Sequence, residues 1–78
     1  MPIIGEVSGA TIKVYTNDHP PPHVHVFYQG QAVRLKITDG DKVQKDEPEL
    51  PARIMRDVRQ WLAENRDKAA TTWAKYHS

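Results

Sequence analysis

The chain has 78 residues, a formal net charge of +1, 38% hydrophobic and 27% charged residues, and no cysteine. That length holds one small core, so a single domain over residues 1–78 is expected, marginally stable, with a homo-oligomer or a partner as a natural supplement. The lack of thiols excludes a disulfide scaffold, thiolate zinc fingers and iron–sulfur sites, and leaves only histidine and carboxylate chemistry for a metal. With no run of about 18 apolar residues and no signal-peptide pattern over residues 1–8, a cytoplasmic protein without membrane contact is expected.

Residues 11–16 alternate Ile12 and Val14 with Lys13 and Tyr15. This period of two predicts a strand with one wet face. The block Pro20-Pro21-Pro22 then interrupts the pattern. Residues 23–29 place Val24, Val26 and Tyr28 on one side and His23, His25 and Phe27 on the other. Residues 31–37 place Val33, Leu35 and Ile37 on one side and Ala32, Arg34 and Lys36 on the other.

The register of these two strands follows from the link between them. A two-residue turn at Gln29-Gly30, with positive φ at both positions, sets Tyr28 opposite Gln31, Val26 opposite Val33 and Val24 opposite Leu35. A slip of one residue would destroy this matching of apolar neighbours. The same register predicts His25 opposite Arg34 and His23 opposite Lys36.

A second turn signal is Thr38-Asp39-Gly40-Asp41. A three-residue loop with Gly40 or Asp41 in the left-handed region would set Ile37 opposite Val43 and start a short strand over 42–45. Beyond the acidic stretch 46–51, Pro51 is expected as the first helical residue. Ile54, Met55, Val58, Trp61 and Leu62 then form one apolar stripe at helical spacing. Asn65 suits a break and a new N-cap, with Ala69, Trp73 and Tyr76 as the next stripe. One bent helix and two helices both fit. Trp61 and Trp73 are expected to close the core over the sheet. Strands followed by helices give an α+β domain: an antiparallel meander of three to four strands, then one or two C-terminal helices packed on one face.

Charge is uneven along the chain. Residues 38–49 hold Asp39, Asp41, Asp46, Glu47 and Glu49 against Lys42 and Lys45, whereas the C-terminal part is basic. A basic helical segment permits an anionic partner, although a solvated helix face is the plainer reading.

The unusual stretch is Asn17-Asp18-His19-Pro20-Pro21-Pro22-His23-Val24-His25, which gathers three of the four histidines. A His-x-His pair on a strand puts both rings on one face. The prolines are expected to stiffen the lead-in as polyproline II, which lowers the entropy cost of a fixed polar constellation. Asn17 and Asp18 suit a turn closed by side-chain to backbone bonds.

With its N-D-H-x-P-P-H-x-H core (Asn17, Asp18, His19, Pro21, Pro22, His23 and His25), the chain resembles the small bacterial proteins grouped as domain-of-unknown-function family 4160. The Met1-Pro2 start, Leu50-Pro51 before the helix and Trp73 fit as well, so the resemblance covers nearly the whole chain. The family carries no agreed activity. The resemblance implies a small partner protein encoded alongside, in an arrangement like a toxin–antitoxin module, and by analogy a nucleic-acid target.

Three readings of the histidines remain. In the first, His19, His23 and His25 ligate zinc or another divalent transition metal, with Asp18 as ligand or orienter. The cations Lys13, Arg34 and Lys36 on the same face oppose this. In the second, no cofactor is needed. His23, His25, Lys13, Arg34 and Lys36, interleaved with Tyr15 and Phe27, hold a phosphate-bearing ligand such as RNA. The histidine pair would then be able to cleave RNA as acid and base, with Arg34 steadying the transition state and His19, Asp18, Lys36, Lys13 and Tyr15 binding the ligand. In the third, the segment is structural or contacts another protein, with Phe27 as an anchor and no catalysis. His77, near the chain end, is read as frayed and inert. The second reading is the one adopted, with the metal site as its alternative.

Overall fold

The computed structural model describes residues 3–15 and 19–77. Four strands, β1 (Ile3–Val7), β2 (Ala10–Lys13), β3 (His23–Tyr28) and β4 (Gln31–Lys36), are followed by two helices, α1 (Ala52–Glu64) and α2 (Arg66–His77). The sheet is antiparallel throughout, in the order β1-β2-β3-β4. The chain is therefore an α+β meander with C-terminal helices, as its periodicity implies.

The β3–β4 hairpin has the expected register. Tyr28 faces Gln31, Val26 faces Val33, Val24 faces Leu35, His25 faces Arg34 and His23 faces Lys36. Gln29 and Gly30 turn the chain with φ of 47° and 81°. Positive φ at both positions gives the turn the twist that flanking strands demand. Ser8 and Gly9 repeat the device, with φ of 53° and 83°, and pair Val7 with Ala10.

That first hairpin adds a strand the alternation did not suggest. The register of β1 shifts between Ile3 and Gly5, so its period of two is broken. Gly5 also lacks the side chain that would mark a core position. It pairs with Ile12 on the inner face, where a Cβ would overlap the Trp61 indole. Glycine here lets the ring lie directly on the backbone of β1. The Ser8 hydroxyl donates to Asp57 Oδ2 at 2.6 Å and ties the β1–β2 turn to α1. That hydroxyl, first among the causes, holds the Asp57 carboxyl below the ordinary range; burial opposes it and Arg56 and Arg53 assist.

The expected strand over 42–45 does not form. Its place is taken by an isolated bridge between Leu35 and Lys42, so Ile37 does not meet Val43. Gly40 is the left-handed residue, with φ of 77°, and its N–H closes a tighter loop onto the Lys36 carbonyl at 2.8 Å. The following segment still satisfies the open edge of β4: Lys36 N–H donates to the Asp41 carbonyl and Val43 N–H to the Arg34 carbonyl.

The core lies between the inner sheet face and α1. Ile12, Val14, Val24, Val26, Val33, Leu35 and Ile37 are buried from the sheet, and Leu50, Ile54, Met55, Val58 and Leu62 from the other side. Trp61 packs partly buried against this core. Pro51 is the N-cap and not the first helical residue; its carbonyl accepts from Met55 N–H at 3.0 Å. Asn65 divides the helices as its side chain suggests. It caps α1, with its own N–H and its Nδ2 both donating to the Trp61 carbonyl, and its carbonyl accepts from Ala69 N–H to start α2.

Ala69 and Trp73 turn inward from α2, but Tyr76 does not join them and stays exposed. Arg66 Nε donates to the Ile37 carbonyl at 3.1 Å, which sets α2 at the sheet end where β4 stops and β3 starts. Among the described residues no helix is long and apolar enough to cross a membrane.

Candidate functional site

Cross-strand partners point to the same side of a sheet, so the register assigns the outer face. Ile3, Lys13, His25 and Arg34 form one row across it. Glu6, Thr11, Phe27 and Ala32 form the next, and His23 with Lys36 a third. Lys13, Arg34 and Lys36 do share a face with the histidines, as expected.

The rings on this face touch. His25 lies 4.2 Å from Tyr15 in an edge-on contact, 5.1 Å from His23, and 6.4 Å from Phe27 in a near-parallel arrangement, all between ring centroids. Lys13 Nζ sits 4.9 Å from the centre of the Phe27 ring. That distance is within cation–π range, so the ammonium is held over an aromatic surface. Tyr15, His25, Phe27 and Lys13 are all half-buried.

His23 departs from the expected open surface. It is only 2% exposed, with its ring 5.1 Å from that of Trp73. Trp73 in turn stacks on His77 at 3.7 Å, with the two planes 7° apart. The last turn of α2 therefore covers the start of β3. The spacing Trp73 to His77 is i, i+4, one helix face, and His77 Nδ1 bonds the Trp73 carbonyl at 2.8 Å. His77 is thus helical and packed, not frayed. His23 Nδ1 lies 2.7 Å from the Pro21 carbonyl oxygen. A carbonyl only accepts, so Nδ1 carries the proton and the ring orientation is set from the proline turn. The Pro20–Pro21 bond in that turn is cis, where an unbroken polyproline II lead-in was expected.

Arg34 is not poised to serve a ligand alone. Its Nε lies 3.2 Å from Glu47 Oε1, and its own N–H donates to the same oxygen at 2.8 Å. Gln44 N–H donates to Glu47 Oε2 at 2.9 Å. Burial would raise this carboxyl, but these donors outweigh it and hold Glu47 below the ordinary glutamate range. Glu47 is the organising residue that sequence reasoning missed: it sits in an aperiodic acidic stretch, and only the fold returns it to β4. Lys36 Nζ lies 3.6 Å from Asp39 Oδ2.

His19 is exposed, and among the described residues no group of three or more histidine and carboxylate side chains is arranged to hold a metal ion. The set His19, His23 and His25 is therefore not brought together as one cage. Asp18 lies outside the described residues.

In comparison with known proteins, the family model described as Domain of unknown function (DUF4160) matches residues 9–74. No curated protein and no solved structure matches the chain. The matched span runs from the β1–β2 turn to one residue past Trp73, and so includes His23, His25 and the part of α2 that carries Trp73. The chain belongs to the DUF4160 family.

Proposed function

We propose that the outer sheet face binds a phosphate-bearing ligand, single-stranded RNA, by stacking bases on Phe27, Tyr15 and His25 while Lys13 and Lys36 meet phosphates. The observation that carries this reading is the contiguous ring patch with Lys13 held 4.9 Å over Phe27. Aromatic rings beside cations tolerate any base, since every base has a π-face, and each stacked base contributes about 1–3 kcal/mol. Ribonuclease chemistry by a His23–His25 pair gains no support from this geometry, because a buried His23 does not meet substrate. In this reading His23 and Trp73 are positioning residues that fix His25. The family resemblance supports a small partner protein encoded alongside, in a toxin–antitoxin-like module.

The test is fluorescence anisotropy with short unstructured RNA over a salt series. Phe27→Ala should weaken binding about tenfold, the loss of one good stack. Two phosphate contacts predict a log–log salt slope of about −1.4. Binding that ignores Phe27→Ala, or that is absent while the neighbouring protein forms a tight complex, would replace RNA binding by a protein adaptor role.

A further inference from the structure

A groove of about 430 Å³ lies between the loop that follows β4 and α1. Lys36, Lys42, Lys45 and Arg59 line it, with Asp41 as the one carboxylate and Val43 as the apolar member. These cations are not equally committed. Lys42 Nζ donates to the Lys45 and Glu47 carbonyls and lies 3.0 Å from Glu49 Oε2, which uses its three protons. Lys36 has Asp39 at 3.6 Å. Among the described residues, neither Lys45 nor Arg59 has a carboxylate within 4 Å.

Arg59 is held in place all the same. Its Nε donates to the Gly40 carbonyl at 2.9 Å. Gly40 has φ of +77°, and a Cβ there would approach Arg59 Cγ to 3.3 Å. Glycine thus supplies both the left-handed turn and the room for the arginine stem. With Nε anchored, the terminal nitrogens keep their donors for a ligand, and little side-chain entropy is left to lose on binding. A fixed guanidinium fork beside an exposed ammonium suits two oxygens of one phosphate group.

We propose that this groove is a phosphate-binding site. Arg59 and Lys45 are the direct donors, Lys36 is the flanking charge, and the ligand is free phosphate or a phosphate monoester, including the end of an RNA chain. The inference goes beyond the stacking face and needs no base. Lys36, which borders both regions, is their shared residue.

The test is an amide NMR titration with inorganic phosphate and pyrophosphate at low ionic strength, against chloride at matched ionic strength. Saturable shifts are expected at Gly40, Asp41, Val43 and Lys45. Arg59→Gln should weaken pyrophosphate binding about tenfold and Lys45→Ala about threefold, in keeping with charge-assisted bonds. Lys68→Ala, at an exposed position of α2, should change nothing. Lys45 is exposed, so its variant keeps the test valid if Arg59→Gln fails to fold. Shifts reproduced by chloride, or unchanged affinity in Lys45→Ala and any folded Arg59→Gln, would overturn the site. RNA with and without a 5′-phosphate separates the sources. Groove shifts that require the 5′-phosphate assign an RNA end, and shifts with pyrophosphate alone assign a small phosphate ester. Phe27→Ala reports on the stacking face independently, so the failure of one proposal leaves the other standing.

Discussion

Trp73, near the end of α2, covers His23, the first residue of β3, with ring centroids 5.1 Å apart. Fifty positions of sequence separate them, yet the contact decides what the His-rich segment is able to do. It removes one imidazole from solvent and leaves His25 as the half-buried ring of the pair on the outer face. It also makes the last helix part of the candidate site.

Replacing Trp73 should therefore act on both stability and the outer face. Trp73→Ala is expected to cost about 3–5 kcal/mol, the range for a buried aromatic truncated to alanine. Urea unfolding measures the loss, and Trp73→Phe should recover part of it. Aromatic ring NMR of the folded Phe variant should show altered His23 and His77 signals with Tyr15 unchanged. Equal stability of the alanine variant would mean that α2 does not close the sheet end.

Gly5 and Trp61 should behave as a coupled pair. Gly5→Ala forces a methyl into the indole, and overpacking of this kind costs about 1–3 kcal/mol. In a Trp61→Leu background the same change should be nearly neutral. A double-mutant cycle reads the difference, and additive costs would argue against the close approach.

Glu47 makes stability depend on pH. Its carboxyl sits below the ordinary range when folded, because the Arg34 and Gln44 donors outweigh burial. The unfolded chain then binds the proton more tightly than the folded chain. The contribution is complete above the unfolded pKa of about 4.3 and is lost as pH falls through the lower folded value. Glu47→Gln should be less stable than the natural chain at pH 7, with the gap narrowing on acidification below about pH 4.3. Denaturation midpoints at several pH values check this; a constant gap would remove Glu47 as the cause.

Gln29 occupies a left-handed position that asparagine tolerates better. Gln29→Asn should stabilise the β3–β4 hairpin by roughly 0.5 kcal/mol, a rise of about 2–4 °C in Tm for a domain of this size. Ser8→Asn at the equivalent turn should not gain as much, because it removes the hydroxyl bonded to Asp57. Calorimetry on both variants distinguishes a turn effect from a tertiary one.

Much of the fold was legible from local pattern. The Gln29-Gly30 turn, with apolar residues equally spaced on either side, implied a register that the hairpin adopts in every pair. The α1 stripe and the break at Asn65 follow from helical spacing and one capping side chain. β1 was not legible, because its period breaks at Ile4 and Gly5 carries no side chain; its meaning is the indole laid across it. The strand expected over 42–45 failed for a related reason. Alternation was extended into a segment that meets β4 only through one bridge, Leu35 with Lys42, before the Glu47 carboxylate takes the Gln44 N–H.

By itself, the sequence determined which side of β2, β3 and β4 a residue occupies, since the pleat alternates there, and so placed Lys13, His25, Phe27, Arg34 and Lys36 on one face. Only the tertiary structure decided which of those groups meet solvent. Trp73 buries His23, and Glu47 engages Arg34, through contacts made by segments 50 and 13 residues away, respectively. Periodicity describes one element at a time, whereas burial and charge pairing depend on which distant side chain the packed core brings alongside.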